Sequence, residues 1–304
     1  MKNWERIQSL RKDITSYVIH LIKSRLEHGE RMEGYKYVSS FEVLKEILKD
    51  GYFKTGFSPR QSPIKRKRTI TIKGSNAAVC FTEQPLNFIL ISNHVDSSKY
   101  PLYGIAVRKE HLYQFGGRPV IYGDETLLGR IVKKEEPTYE EGKEIYKGGF
   151  LHSDIHYLWV GYDPTLYRTR WGYTVDWTHE REWRCKAKRY NVFDVSWHID
   201  GVPILLPDDY WDVDKMETRE SPDFKILVHS REELSDLKKW IFELESYRGE
   251  NKWLDAYFKK LPMARIISFE EIKEHLEAGE ENWSRFENIP IKSDNDGGVG
   301  SKTC

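Results

Sequence analysis

The sequence predicts an α+β fold, a mixed β-sheet with flanking helices, and three segments carry that prediction. Residues 35–51 have the pattern of a short strand followed by a capped helix and a glycine stop. Residues 77–83 are rich in strand-forming side chains, and residues 177–185 alternate aromatic and charged side chains. The chain has 304 residues, of which 39% are apolar, so it can form the core of one large or two modest domains.

The helix within residues 35–51 has a start signal and a stop signal. Ser39 or Ser40 is a good N-cap, because a hydroxyl side chain accepts a hydrogen bond from a backbone N–H of the first turn. Apolar residues at positions 43–48 fall on one helical stripe, and Gly51 stands where a left-handed C′ residue is needed.

The late segment is the most informative, because Glu180 and Glu182 stand two residues apart in it. In a strand they would share one face, and the residues between them would share the other. The expected acidic face is Thr178, Glu180, Glu182 and Arg184, and the opposite face is Trp177, His179, Arg181, Trp183 and Cys185. An acidic pair on a wet face is typical of a catalytic edge. The alternative is a surface strand with cross-strand ion pairs, which the motif taken alone favours.

The rest of the chain divides into predicted parts. Apolar residues from Ile7 to Leu26 recur at helical spacing, which predicts an N-terminal amphipathic helix. The expected parts are that helix within residues 1–30, a core domain at 31–200, a C-terminal α/β extension at 201–290 and a disordered tail at 291–304.

The C-terminal extension has its own alternation of elements. It begins with a strand at 224–229 and a helix that starts at Ser230 with a capping box. A strand at 264–269 and a helix at 270–277 follow. This alternation either completes the core domain or forms a small appended one.

Residues 58–73 carry a strongly basic run. Two prolines predict an irregular loop there, and the residues from Lys65 to Arg68 concentrate four positive charges in a chain of zero net charge. Such a run suits the phosphates of a nucleotide or nucleic acid, and a solvated loop is the equally weighted alternative. A second basic cluster, at Lys186, Lys188 and Arg189, follows the late segment.

Composition narrows the class of protein. The 48 basic and 48 acidic residues cancel, so no global charge draws the chain to nucleic acid or membrane. Three scattered cysteines indicate neither a disulfide framework nor a zinc site, which predicts a reducing, cytoplasmic setting. His152 and His156 lack a third ligand, so no metal is predicted. Neither a signal peptide nor a membrane span is expected.

The order of the motifs resembles the ADP-ribosyltransferase superfamily, including its DarT-like members. The matching residues are Lys36-Tyr37-Val38-Ser39, Cys80-Phe81-Thr82-Glu83 and Glu180-Arg181-Glu182. A closer resemblance is to abortive phage-resistance proteins of the AbiGi type. They share a strand like Tyr103-Gly104-Ile105 and a late Trp-x-x-Glu-x-Glu-Trp-Arg motif, here residues 177–184. The resemblance covers about residues 34 to 190.

The resemblance implies a split sheet of ADP-ribosyltransferase type, with NAD as substrate in a cleft between its parts. It makes Glu182 the carboxylate that stabilises the ribosyl cation and Glu180 the residue that orients the acceptor. NAD would contact Lys36, Tyr37, Ser39, Phe81 and Thr82, and the strands that carry these residues would line one cleft with Glu182. Lys65, Arg66, Lys67 and Arg68 would hold a macromolecular target, with nucleic acid favoured slightly over protein.

The family also implies a place in an abortive-infection or toxin–antitoxin system, with a cognate antitoxin or partner protein. A different expectation is a catalytically inactive binding module, an antitoxin or sensor of such a system. The first strand favours it, because Lys36 and Tyr37 stand where the transferases usually have His or Arg. A magnesium-dependent nuclease using Glu125, Glu180 and Glu182 is the least supported, because no spacing singles out a carboxylate cluster.

Overall fold

The structure is a computed structural model. It describes residues 15–28, 35–57, 59–61, 68–70, 72–74, 76–95, 97, 100–123, 138–140, 143–145, 153–162, 178, 181–187, 201–204, 224–244 and 257–277. The five helices with defined bounds are α1 (Ser40–Asp50), α2 (Leu86–Val95), α3 (Lys109–Phe115), α4 (Arg231–Leu244) and α5 (Phe269–Glu277). Short 3-10 helices span Ser153–Leu158 and Leu261–Met263.

Strands form most of the described framework. In chain order they are β1 (Tyr17–Leu21), β2 (Arg25–His28), β3 (Tyr35–Val38), β4 (Tyr52–Lys54), β5 (Pro59–Gln61), β6 (Arg68–Ile70), β7 (Ala78–Thr82), β8 (Gly104–Arg108), β9 (Arg118–Pro119), β10 (Ile121–Gly123), β11 (Thr138–Glu140), β12 (Lys143–Ile145), β13 (Trp159–Gly161), β14 (Glu182–Lys186), β15 (Gly201–Pro203), β16 (Phe224–Val228) and β17 (Arg265–Ser268).

Seven strands form the central sheet in the order β17-β16-β8-β1-β7-β14-β9. Its neighbours are antiparallel except β16 and β17, which are parallel. Five further pairs stand apart from it. They are β10 with β13, which is parallel, and β2 with β3, β4 with β15, β5 with β6 and β11 with β12, which are antiparallel. The coarse prediction of an α+β protein with a mixed sheet is confirmed.

The prediction of an N-terminal helix is wrong for those of its residues that the structure describes. Residues 17–21 form the central strand β1 and residues 25–28 form β2, while residues 1–14 lie outside the described residues. Val18 and Ile22 contact one core cluster, whereas Tyr17 and Ile19 contact another. A strand that is buried on both faces has a nearly continuous apolar pattern, and such a run is easily taken for a helix.

The start and stop signals of α1 are confirmed. The Oγ of Ser39 accepts a hydrogen bond from the backbone N–H of Glu42 at 3.2 Å. Gly51 has φ 75°, a left-handed conformation that glycine adopts without a steric penalty, and its N–H donates to the carbonyl of Ile47. Local chemistry at the two ends therefore determines the length of this helix.

The elements after residue 223 also match the prediction, but they belong to the central sheet. The side chains of Ser230 and Glu233 cap each other's backbone N–H groups at 3.2 and 3.3 Å, which is the predicted capping box. β16 and β17 extend the sheet beyond β8, and the hydroxyl of Tyr257 donates to the carbonyl of Leu48 in α1. The sheet thus continues across the expected boundary at residue 200.

The basic segment is more regular than its prolines predict. β5 and β6 pair in the register Arg60↔Thr69, so residues 59–61 and 68–70 form an antiparallel pair. Pro59 is the first residue of β5, a position where a missing N–H is tolerated. The expectation of an irregular loop across the whole of residues 58–73 is therefore wrong.

Side chains pack on both sides of the central sheet. The first face carries Val18, Phe81, Val107, Trp183 and Ile226, and it packs against α1, α3 and α4. The second face carries Tyr17, Ile19, Ala106 and Leu227, and it packs against α2 and α5. Farther along the second face, Ala78 packs with Ile72, Tyr157 and Leu158. The sheet is thus the middle of three layers.

Candidate functional site at the paired ends of β7 and β14

The two strongest motifs of the sequence are neighbours in the sheet. Glu182 pairs with Thr82 and Trp183 pairs with Phe81, across one hundred residues of chain. Within β14 the expected alternation holds, because Trp183 and Cys185 belong to the first-face core while Glu182 and Arg184 point to the second face. The Phe81-Thr82 and Glu182-Trp183-Arg184 parts of the two motifs therefore lie side by side in the sheet.

Glu182 is engaged in a buried ion pair. Its Oε1 accepts from the Nε of Arg184 at 2.9 Å, and the two residues are 9% and 2% exposed. The Nη1 of Arg184 also donates to the carbonyls of Tyr157 at 2.6 Å and Trp159 at 3.3 Å. Burial opposes the charge of the guanidinium, but the interactions with Glu182 and Cys80 raise the pKa of Arg184 above its ordinary value. The pair thus joins β14 to residues 157–159.

The strand that carries Glu182 begins later than expected. Arg181 has φ 44°, a left-handed backbone conformation that is uncommon for a residue with a side chain, and β14 starts at the next residue. The Arg181 carbonyl accepts from the N–H of Glu83 at 3.1 Å, which holds this bend against the end of β7. The prediction of one continuous strand from Thr178 through Cys185 is therefore wrong. Glu180 lies outside the described residues.

Glu83 is a second carboxylate at this end of the sheet, and the sequence reasoning gave it no role. Its Oε1 accepts from the Nζ of Lys109 at 2.7 Å, and its Oε2 accepts from the indole Nε1 of Trp183 at 2.7 Å. The side chains of Glu83 and Lys109 are about one fifth exposed, at 19% and 23%. The available signal was the acid directly after Phe81-Thr82 in the sequence.

Phe81 and Thr82 have structural partners of their own. The ring of Phe81 is 1% exposed and meets the rings of Phe53 and His20 edge to face, at centroid distances of 5.4 and 5.8 Å. The Oγ1 of Thr82 accepts from the backbone N–H of Gln84 at 3.2 Å, which stabilises the turn into α2. Phe81 is thus a core residue, without a surface on which a nicotinamide ring can stack.

The strand with Lys36, Tyr37 and Ser39 is separate from this site. Burial and the hydrogen bond to Glu233 raise the pKa of Tyr103, and Tyr37 adds a smaller contribution. Tyr37 therefore lies near Tyr103. Tyr103 precedes β8, which is separated from β14 by β1 and β7, or about 14 Å at the usual strand spacing. Since Glu182 also points to the second face, the structure does not place it in one cleft with Tyr37.

The remaining predicted site residues are only partly described. Arg68 is the first residue of β6, and Lys65, Arg66 and Lys67 lie outside the described residues. In the described part of the chain, no group of three or more His, Cys, Asp or Glu side chains is arranged to hold a metal ion. Nor does any helix described there have the length and apolar character needed to cross a membrane.

Comparisons with known proteins give no match from which the fold or the site could be interpreted. No protein-family model, no curated protein and no solved structure matches this chain.

Proposed function

We propose that the protein is a binding module of a phage-defence system, an antitoxin or sensor, and that it performs no NAD chemistry through Glu182. The observation that carries this proposal is the buried Glu182–Arg184 ion pair. The place in a defence system rests on the resemblance of the motifs to abortive phage-resistance proteins of the AbiGi type.

The ion pair is unsuited to ADP-ribosyl transfer. The carboxylate of a transferase must face the ribosyl cation that develops as the glycosidic bond breaks. Here the charge of Glu182 is already compensated by a guanidinium at 2.9 Å, and that guanidinium would repel a second cation. The geometry instead supports a structural role, in which the pair fastens β14 to the segment at residues 157–159.

A second candidate function is NAD-dependent ADP-ribosyltransferase, with NAD as substrate and Glu182 and Glu180 as the catalytic acids. The observation that favours it is the pairing of Thr82 with Glu182, which is the arrangement that the resemblance implies. A second carboxylate, Glu83, also lies at this end of the sheet. In this alternative Arg184 would have to release Glu182 when NAD binds.

The deciding experiment incubates the purified chain with labelled NAD and a bacterial lysate, in parallel with Glu182→Gln at equal protein concentration. Glutamine keeps an acceptor for Arg184 and removes the charge. We expect neither protein to label a macromolecule or to consume NAD above the level of a heat-inactivated sample. Label transferred by the wild type and lost in Glu182→Gln would contradict the binding module and establish the transferase.

A phage challenge tests the same proposal in cells. Cells that express the chain together with its genomic neighbours should resist infection equally well with the wild type and with Glu182→Gln, at matched protein levels. Loss of protection in the Gln variant, with its protein level unchanged, would assign Glu182 a chemical role.

A further inference from the structure

β5 and β6 form an antiparallel ribbon whose base is held in the core. Their register pairs Gln61 with Arg68, and the same register holds at the base, where the N–H of Ile72 donates to the carbonyl of Phe57 at 3.5 Å. Ile72 is buried in the core cluster that also contains Tyr157. Among the described residues, β5 and β6 pair with each other and with no further strand. The ribbon is therefore a two-stranded element with an anchored base.

Positive charge is concentrated in the stretch of chain that contains this ribbon. Residues 55–82 include six Lys and Arg residues and no Asp or Glu, in a chain whose charges cancel as a whole. The structure describes the backbone at three of these cations, which are Arg60 in β5, Arg68 in β6 and Lys73 just beyond β6. The other three, at positions 65–67, lie outside the described residues. No acid within the stretch can neutralise any of them.

The sheet brings the second basic cluster of the sequence to the base of the ribbon. Gly56, shortly before β5, forms a bridge with Ala78 in β7, and Ala78 lies opposite Lys186 at the end of β14. Asp154 also lies here, because its carbonyl accepts from the side-chain amide of Asn76 at 3.1 Å. A single acid does not offset the cations of the ribbon stretch. We call β5, β6, Lys73 and Lys186 the basic ribbon surface.

The base of the basic ribbon surface is separate from the Glu182 end of the sheet. The pairs Ala78–Lys186 and Thr82–Glu182 are four residues apart along the same two strands, which corresponds to about 13 Å. A ligand on the ribbon therefore needs no contact with the Glu182–Arg184 ion pair.

We propose that the basic ribbon surface binds double-stranded DNA, with the ribbon in the major groove. The major groove of B-form DNA is about 12 Å wide and admits a two-stranded β-ribbon, whereas that of duplex RNA is too narrow for side chains to read. The cations along the ribbon would contact the phosphates that border the groove. The width of the ribbon, together with its charge, favours duplex DNA over an acidic protein. DNA is then the partner of the binding module proposed above, on which this inference rests.

Fluorescence anisotropy of the full chain with a labelled mixed-sequence DNA duplex of about 20 base pairs, or two helical turns, tests the proposal. We expect this duplex to bind, and the matching RNA duplex and single DNA strand to bind at least tenfold more weakly at the same salt concentration.

Charge-removing variants give a second readout. Arg60→Gln combined with Arg68→Gln should reduce the slope of log K against log salt by about 1.8, because each lost phosphate contact contributes about 0.9. Arg60→Lys combined with Arg68→Lys keeps the charge and should retain the slope. The matched control is Lys238→Gln combined with Lys239→Gln, which removes two exposed charges from α4 and should leave the slope unchanged.

Three results would each overturn the proposal. They are no binding of the DNA duplex, equal binding of the single strand or the RNA duplex, and equal changes of slope in the ribbon and α4 Gln variants. If no DNA binds and no NAD is consumed, the proposed binding function stands and its partner is of another class.

Discussion

The paired ends of β7 and β14 and the pair of β2 and β3 carry the three motifs from which a single NAD site was predicted, yet their side chains differ in exposure and in their partners within the protein. At β7 and β14, Glu182, Arg184, Glu83 and Trp183 are largely buried, and each polar side chain already has a protein partner. At β2 and β3, Tyr37 is two-thirds exposed.

This difference separates structural from binding chemistry within one chain. A charged group that is buried must be compensated internally, because an unpaired charge in the core is strongly unfavourable. Once compensated, it has little remaining capacity for a ligand. An exposed aromatic such as Tyr37 contributes little to folding, and its ring remains accessible to a ligand. Mutations should therefore affect stability more at the first region than at the second.

The largest expected effect is that of Arg184→Leu. It leaves Glu182 without its partner and two carbonyls without a donor, so we expect a loss of about 3–5 kcal/mol in the free energy of unfolding. Urea denaturation measures it. The control is Arg231→Ala, which removes an exposed ion pair with Glu274 and should cost about 1 kcal/mol or less. Equal losses in the two variants would show that the Glu182–Arg184 pair does not stabilise the fold.

A smaller effect is expected at Glu83. Glu83→Ala removes the acceptor of the Trp183 indole and the partner of Lys109, which should cost about 1–3 kcal/mol. Glu83→Gln keeps an acceptor and should cost less than half as much in the same denaturation experiment. A Gln variant as unstable as the Ala variant would indicate that the charge, and not the hydrogen bond, determines the contribution.

His20, which contacts β7, should make the free energy of unfolding depend on pH. Burial lowers the pKa of His20 below its usual 6.5, although its contact of 2.8 Å with the carbonyl of Cys80 opposes that shift. The unfolded chain therefore takes up a proton more readily than the folded protein as the pH falls below about 6.5. The stability should decrease there by up to about 1.4 kcal/mol per pH unit. Above that pH, His20 should contribute no dependence.

Urea midpoints at pH 7.5 and 5.5 test this effect against His20→Phe, which retains a ring beside Phe53 and removes the titration. The wild type should lose more stability than the variant over this range. A parallel decline in both proteins would assign the acid sensitivity to other groups.

The smallest expected effect on folding is that of Tyr37→Ala. Because the side chain is two-thirds exposed, its removal should change the free energy of unfolding by no more than about 0.5 kcal/mol. Thermal unfolding measures it. A loss above about 2 kcal/mol would make Tyr37 a structural residue and would remove the contrast between the two regions.

Local chemistry was sufficient for part of the fold. The N-cap at Ser39, the left-handed Gly51 and the capping box of Ser230 and Glu233 depend on residues within a few positions of one another, so the sequence predicted them correctly. The strand at β7 and the alternation within β14 were also predictable, because side chains on a strand point to opposite faces with a period of two.

Tertiary structure decided the rest, because the deciding contacts lie far apart in the chain. Whether residues 17–21 form a helix or a strand depends on the two sheet neighbours that β1 acquires, β7 and β8. The strand pattern places Arg184 on the same face as Glu182, but the carbonyls of residues 157 and 159 that bind Arg184 beside Glu182 come from a distant segment that no local pattern identifies. The sequence by itself determined which residues carry charge and aromatic surface. Packing determined which of those charges are compensated inside the protein and which aromatic surface remains in water.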